Sequence, residues 1–280
     1  MLLITGADGQ LGQSFKHILP EDKRILTDIA QLDITNEQAV FDFVDAYPLT
    51  GIINCAAYTN IDKSEEEPSA AIKINTLGPA HLAKAAAKKH IPLVHISTDY
   101  VFDGKANLPL KETDPIRPLG VYGQTKIEGE KNILKYAETA VILRTAWMHS
   151  PYGKNFVKMI LKRSKLTSEL RIVADQFGTP TYAPYLAQTI LDILPQIPRG
   201  SCETYHFTNE GTATWYDFAY YILEQVKSPC KVLPIHTADS PARALRPVFS
   251  VLDKTKFKNT FDVVIEHWTQ GVKACLEQLV

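Results

Sequence analysis

The sequence is short of the features that mark a metal, disulfide or membrane protein. Its four cysteines, Cys55, Cys202, Cys230 and Cys275, lie far apart in 280 residues. None shows the paired spacing of a disulfide framework, zinc site or redox motif, so reduced structural thiols are expected. The eight histidines show no zinc-ligand spacing either, and no catalytic metal is expected. No run approaches the ~20 apolar residues that span a bilayer. The apolar opening Met1-Leu2-Leu3-Ile4 is cut short by Thr5-Gly6 and lacks the basic flank of a signal peptide. The expected setting is cytoplasmic, with no membrane partner. Charge of one sign is missing too: 30 basic side chains stand against 31 acidic ones, and the longest lysine block is Lys88-Lys89. Nothing there attracts nucleic acid in general. No internal repeat or low-complexity segment is present.

What is present is a 45% hydrophobic chain, enough for one large or two smaller domains with a sizeable core. The apolar run Leu2–Ile4 ends directly in Gly6-Ala7-Asp8-Gly9-Gln10-Leu11-Gly12, and Leu11, Phe15, Ile18 and Leu19 then recur at helical spacing. Strand, glycine turn and helix together make a phosphate-binding turn. The glycines let backbone approach a pyrophosphate, and the helix N-terminus offers amides and a positive dipole. The spacing is G-x-x-G-x-x-G, not the commoner G-x-G-x-x-G. Arg24–Asp28 reads as a second strand whose terminal Asp28 suits ribose hydroxyls and disfavours a 2′-phosphate. Lys23 and Arg24 beside it would tolerate that phosphate, so NADH and NADPH both stay open.

Gly51–Ala57 is a buried strand ending in small residues, and a long helix is expected over Ala70 to Lys88. Ile91–Phe102 turns polar at Ser97-Thr98-Asp99, which places Thr98 at a strand's carboxyl end, where such sheets bind ligands. Tyr122 and Lys126 lie four apart, one helical turn from each other. An ammonium there would lower the tyrosine pKa from its usual ~10 and make it a usable proton donor. Val141–Arg144 is the next strand. Strand and helix alternate through this half, which argues a parallel sheet. The second half is less regular. It offers helices over Asn155–Arg163, Tyr182–Leu194 and from Thr214, and short strands at Leu170–Val173 and Tyr205–Phe207. Asp175–Thr181 is a polar loop, and Pro241–Pro247 carries Arg243 and Arg246, guanidiniums suited to phosphate.

The glycine turn, Ser97-Thr98 and Tyr122-x-x-x-Lys126, in that order, resemble the extended short-chain dehydrogenase/reductase family. Cys55-Ala56-Ala57-Tyr58-Thr59, Ser97–Phe102, Arg144–Trp147, Asp175–Thr181, Thr214–Asp217 and Arg246-Pro247 narrow the resemblance to the dTDP-4-dehydrorhamnose reductases, nearly end to end. The resemblance implies reduction of the C4 ketone of dTDP-4-dehydro-L-rhamnose by NADPH or NADH, giving dTDP-L-rhamnose for cell-surface polysaccharide. It implies Tyr122 as proton donor, Lys126 on the nicotinamide ribose and Thr98 on the ketone oxygen. Gly6, Gly9, Gln10, Leu11, Gly12, Asp28, Asp33, Ile34, Ala56, Ala57 and Tyr58 would hold the cofactor. Asp99, Tyr100, Trp147, Arg243 and Arg246 would meet the substrate.

Some members dimerise through magnesium held by acids near the first helix. Ser14, after Gln13, stands at the matching position here, so a monomer or weak homodimer without metal is expected. Two other readings follow from the same resemblance. One is a reductase of another nucleotide 4-keto sugar; the other is a non-catalytic regulatory subunit of the methionine adenosyltransferase type. Tyr100, where a 4,6-dehydratase would carry a glutamate, speaks against dehydration, and the intact Thr98, Tyr122 and Lys126 speak for catalysis. The expected fold is α/β: a Rossmann-like doubly wound parallel sheet over 1–150, with a smaller α/β substrate-binding lobe over 151–280. Segments around 182–207 are expected to cross back to the first domain.

Overall fold

A computed structural model describes residues 1–240 and 244–279. Six strands form its central sheet: β1 (Leu2–Thr5), β2 (Arg24–Thr27), β3 (Gly51–Asn54), β4 (Leu93–Thr98), β5 (Ala140–Thr145) and β6 (Cys202–His206). Their order is β6-β5-β4-β3-β1-β2, and every neighbouring pair is parallel. Parallel strands are buried on both faces, which is why these segments read as nearly continuous apolar runs. Successive side chains go to opposite faces. Leu3, Ile52, Leu93 and Ile142 pack on one side with Val40, Val44, Leu82 and Ile133. Ile4, Ile53, Val94 and Leu143 pack on the other with Phe15, Leu186 and Ile190. The sheet is therefore doubly wound, the fold class expected from the alternating pattern.

Two elements of the second half complete this sheet. The helix Ala183–Ile193 packs on the helix Gln10–Ile18, and β6 runs beside β5 from Cys202↔Ala140 to His206↔Arg144. Phe257 and Phe261 of the helix Thr255–Phe261 join the same face of the sheet. Most of the remainder has its own core, where Val157, Ile160, Phe218, Ile222, Trp268 and Val272 meet under a two-stranded parallel ribbon. One ribbon strand, Lys231–Ile235, is absent from the sequence reading because Pro234 interrupts it. A proline removes a ladder donor and survives only at a sheet's margin.

The long helix expected over residues 70–88 is broken. Between Pro68–Ile72 and Gly78–Lys88 lies one wide turn, Lys73–Leu77, closed by the Gly78 N–H on the Lys73 carbonyl. Pro79 has no N–H to offer the carbonyl four residues before it, that of Asn75, so the regular ladder fails there. Such wide turns gather at functional sites. No helix among the described residues is long and apolar enough to cross a membrane.

Candidate active site

The sheet order reverses between β1 and β3, and ligands bind at the strand carboxyl ends beside such a reversal. A cleft of about 910 Å³ opens there, lined from β1 to the Trp215 helix. Its floor is the glycine turn. Gly6 has φ +66°, and a Cβ on it would sit 2.6 Å from the Ala56 amide nitrogen. A Cβ on Gly12 would stand 2.5 Å from the Ala7 Cα, so only glycine lets this helix start so close to the strand. Gly9 caps the helix Gln10–Ile18 without a side-chain hydrogen bond, which leaves its first amides facing the cleft. This cradle fits a dinucleotide pyrophosphate. Asp28, Asp33, Ile34, Ala56 and Ala57 line the same end. The Asp28 carboxylate accepts the Asp8 and Ile29 amides at 3.1 and 2.8 Å.

Two expectations need correction here. Tyr58 does not line the cleft: its hydroxyl donates outward to Glu67 at 2.7 Å, while its neighbour Thr59 is in the wall. Arg24 is not free for a phosphate, because its guanidinium caps the carbonyls of Lys16 and Leu19.

Thr98, Tyr122 and Lys126 meet at the middle of the cleft. Thr98 ends β4, and its hydroxyl donates to Asp99 at 3.1 Å and accepts the Tyr100 amide at 3.2 Å. Tyr122 enters from the helix Val121–Tyr136. Burial pushes its phenol up to about 12, the Thr98 hydroxyl opposes this and the Asp99 carboxylate adds to it. The expected lowering of Tyr122 by Lys126 is therefore not what this geometry produces. The Lys126 amine turns into the protein, where it donates to the Ile96 carbonyl at 2.6 Å and lies 3.3 Å from His95 Nε2. Burial brings it down to about 8, with Glu130 opposing.

The far wall belongs to the remaining candidates. Asp99 is buried, one carboxylate oxygen has no partner, and desolvation raises its pKa to about 6. Tyr100 packs edge-on to Tyr122 with ring centroids 5.6 Å apart. Trp147, at φ +46°, stacks on Trp215 at 3.7 Å and presses against Gly178. Arg246 reaches Asp62 at 3.4 Å and keeps a buried Nε without a partner. Arg243 lies outside the described residues.

The family described as "RmlD substrate binding domain" matches residues 1–280. The chain belongs to it. A dTDP-4-dehydrorhamnose reductase of Aggregatibacter actinomycetemcomitans is 42% identical over 97% of each chain. The solved structure of a dTDP-4-dehydrorhamnose reductase from Clostridium acetobutylicum is 40% identical, with a TM-score of 0.95 over 99% of each chain. That of the Bacillus anthracis dTDP-4-dehydrorhamnose reductase, in complex with NADP, is 33% identical. Its TM-score is 0.95 over 99% of this chain and 98% of that one.

Other residues of this family member's site escaped sequence reasoning. Asn75, in the wide turn, bonds the Tyr58 amide at 2.8 Å, the Tyr58 carbonyl at 3.1 Å and the Thr125 hydroxyl at 3.1 Å. It thereby ties the loop after β3 to the tyrosine helix, and Pro79 four residues on was its signal. Glu65 accepts the Val121 amide at 2.8 Å and caps that helix from a different element, which no local pattern announces. Glu130, one turn beyond Lys126, is buried in an ion pair with Arg144 of β5 at 2.7 Å.

Proposed function

We propose that this protein reduces the C4 ketone of dTDP-4-dehydro-L-rhamnose with NADPH or NADH, forming dTDP-L-rhamnose. The observation that carries the reading is the meeting of the Thr98 and Tyr122 hydroxyls, in side-chain hydrogen-bond contact, in the same cleft as the glycine cradle. A regulatory binding subunit has no use for a buried hydroxyl pair beside a buried lysine. The relatives named dTDP-4-dehydrorhamnose reductase supply the sugar nucleotide.

When bound in the cradle, the dinucleotide supplies a hydride equivalent to C4. Tyr122 gives its phenolic proton to the oxygen that gains charge, and the Thr98 hydroxyl holds that oxygen. Buried donors aimed at developing charge act more strongly than the same groups in water. Tyr122, with its pKa pushed up to about 12, stays protonated before the reaction across the ordinary pH range. Asp99, Tyr100 and Trp147 shape the sugar pocket, and Arg246 serves the diphosphate or nucleotide. Gly6, Gly9, Gln10, Leu11, Gly12, Asp28, Asp33, Ile34, Ala56 and Ala57 hold the cofactor, with Lys126 on its ribose side.

Oxidation of NADPH and of NADH, followed by nicotinamide absorbance with enzymatically prepared dTDP-4-dehydro-L-rhamnose, tests this and ranks the cofactors. Turnover that vanishes in Tyr122→Phe is expected. Cofactor binding without oxidation would discard this substrate, and a panel of nucleotide 4-keto sugars would then separate another reductase from a regulatory subunit.

A further inference from the structure

His95 lies fully buried on β4 between the sheet and the tyrosine helix. Both of its ring nitrogens have partners: Nδ1 is 2.9 Å from Asn54 Nδ2, and Nε2 is 3.3 Å from Lys126 Nζ. The side chain of Asn54 is not free to turn over. Its Oδ1 accepts the Thr5 hydroxyl at 2.7 Å and the Ala56 backbone N–H at 3.1 Å. A backbone N–H can only donate, so the oxygen must stay there and the amide NH₂ must face His95. Nδ1 then accepts, and in a neutral imidazole the single proton sits on Nε2. That N–H points at Lys126. An ammonium has no lone pair to receive it, whereas an amine has one.

We propose that His95 is a positioning residue for Lys126: its tautomer, locked by Asn54, aims an N–H at Nζ and favours the uncharged amine. The amine accepts from His95 and donates to the Ile96 carbonyl, so the chain Thr5–Asn54–His95–Lys126–Ile96 is satisfied at every link. With the lysine charged, two donors oppose each other at 3.3 Å.

The other groups facing Lys126 do not reverse this. Glu130, from its own helix, favours the ammonium but is committed to Arg144 and Ser97. Cys55, beyond β3, is held as a neutral thiol by burial. His95 is itself held neutral by burial. A lysine poised in this way takes up a solvent proton and releases it again more readily than an exposed one; as the ammonium it would pass that proton to the Tyr122 phenolate after each reduction and return to the amine. That consequence rests on the reductase reading; the hydrogen-bond logic does not.

Two NMR measurements on the ligand-free protein test it. Two-bond proton–nitrogen spectra of the imidazoles read the His95 tautomer without any variant, and the Nε2–H form is expected. A titration of the lysine side-chain signals, with Lys126 assigned through Lys126→Met, should give it a midpoint well below those of the other lysines. In Asn54→Asp the carboxylate oxygen facing Nδ1 can only accept, so the imidazole proton moves to Nδ1, Nε2 accepts from the ammonium, and the midpoint should rise by about one pH unit or more. The alkaline limb of kcat should move the same way. An Nδ1–H tautomer in the unaltered protein, or a tautomer and midpoint both unchanged by Asn54→Asp, would overturn the proposal. Expected NMR results from a protein that reduces no sugar nucleotide would uphold it while removing the reductase reading.

Discussion

Asp99 shows how a single buried carboxylate ties the site to the stability of the protein. Its folded pKa, about 6, lies above the ordinary 3.8, because the site removes it from water. The folded form therefore binds the proton more tightly than the unfolded chain does. That contribution is fully present below about pH 4 and is lost as pH rises through about 6. A shift of this size corresponds to roughly 3 kcal/mol. Asp99→Asn keeps the shape and cannot ionise. Denaturant unfolding at about pH 4 and about pH 7.5 should show the variant gaining on the wild type by that order as pH rises. Equal differences at both pH values would mean that Asp99 is not desolvated. At Tyr122 the chemistry dominates instead. Tyr122→Phe should lower kcat by ~10²–10⁴-fold while the cofactor dissociation constant stays within a few-fold. Such residues were legible because their spacing is itself chemical: Tyr122 and Lys126 share a helix face in any helix. The direction in which Lys126 points was not legible. It depends on His95 and the Ile96 carbonyl, which only the packing of helix on sheet brings within reach.

Elements whose signals are local were the readable ones. Asn155 caps the helix Phe156–Ser164, and Thr214 with Asp217 forms a complete capping box, both from side chains within four residues. The tyrosine helix is different, since Gly120 brings no cap and Glu65 supplies one from 56 residues away. Its other restraint is just as distant. Gly129 faces the Asn75 carbonyl so closely that a Cβ would lie 2.1 Å from that oxygen. Backbone cannot yield as a flexible side chain can, so Gly129→Ala must push the helix away from the wide turn. The expected cost is about 1–3 kcal/mol of stability, as for other overpacked sites. Tyr122 rides on the same helix, so kcat should fall as well, although Gly129 touches neither ligand. Thermal unfolding beside steady-state kinetics would check both. A variant with lowered melting temperature and unchanged kcat would show that the helix is not what aims the tyrosine.

At the scale of the molecule, the chain does not divide where its pattern changes. The regular alternation ends near Trp147, and a boundary there looks natural in sequence. Yet β6 and the helix Ala183–Ile193 belong to the central sheet, and Leu186, Ala187, Ile190 and Ile193 are wholly buried against it. The period of those residues marks one apolar face and not the lobe it covers, although segments around 182–207 are expected from the sequence to cross back. A chain that returns to the sheet lobe at residues 183–206 and again at Thr255–Phe261 binds the two stabilities together, because neither core is complete without the crossing segments. The three tryptophans make this measurable: Trp147, Trp215 and Trp268 all belong to the second core, whereas far-ultraviolet circular dichroism reports every helix and strand. Urea unfolding followed by tryptophan fluorescence and by dichroism should give coincident transitions, the signature of one cooperative unit. A fluorescence transition at distinctly lower urea would show the substrate-side core melting alone. The cleft between Trp147 and the glycine cradle would then be a contact between two independently stable bodies. A chain cut after residue 150 is the sharper form of the same test. It leaves β5 as an exposed edge and strips the Gln10–Ile18 helix of its partner, so it should show no cooperative transition at all.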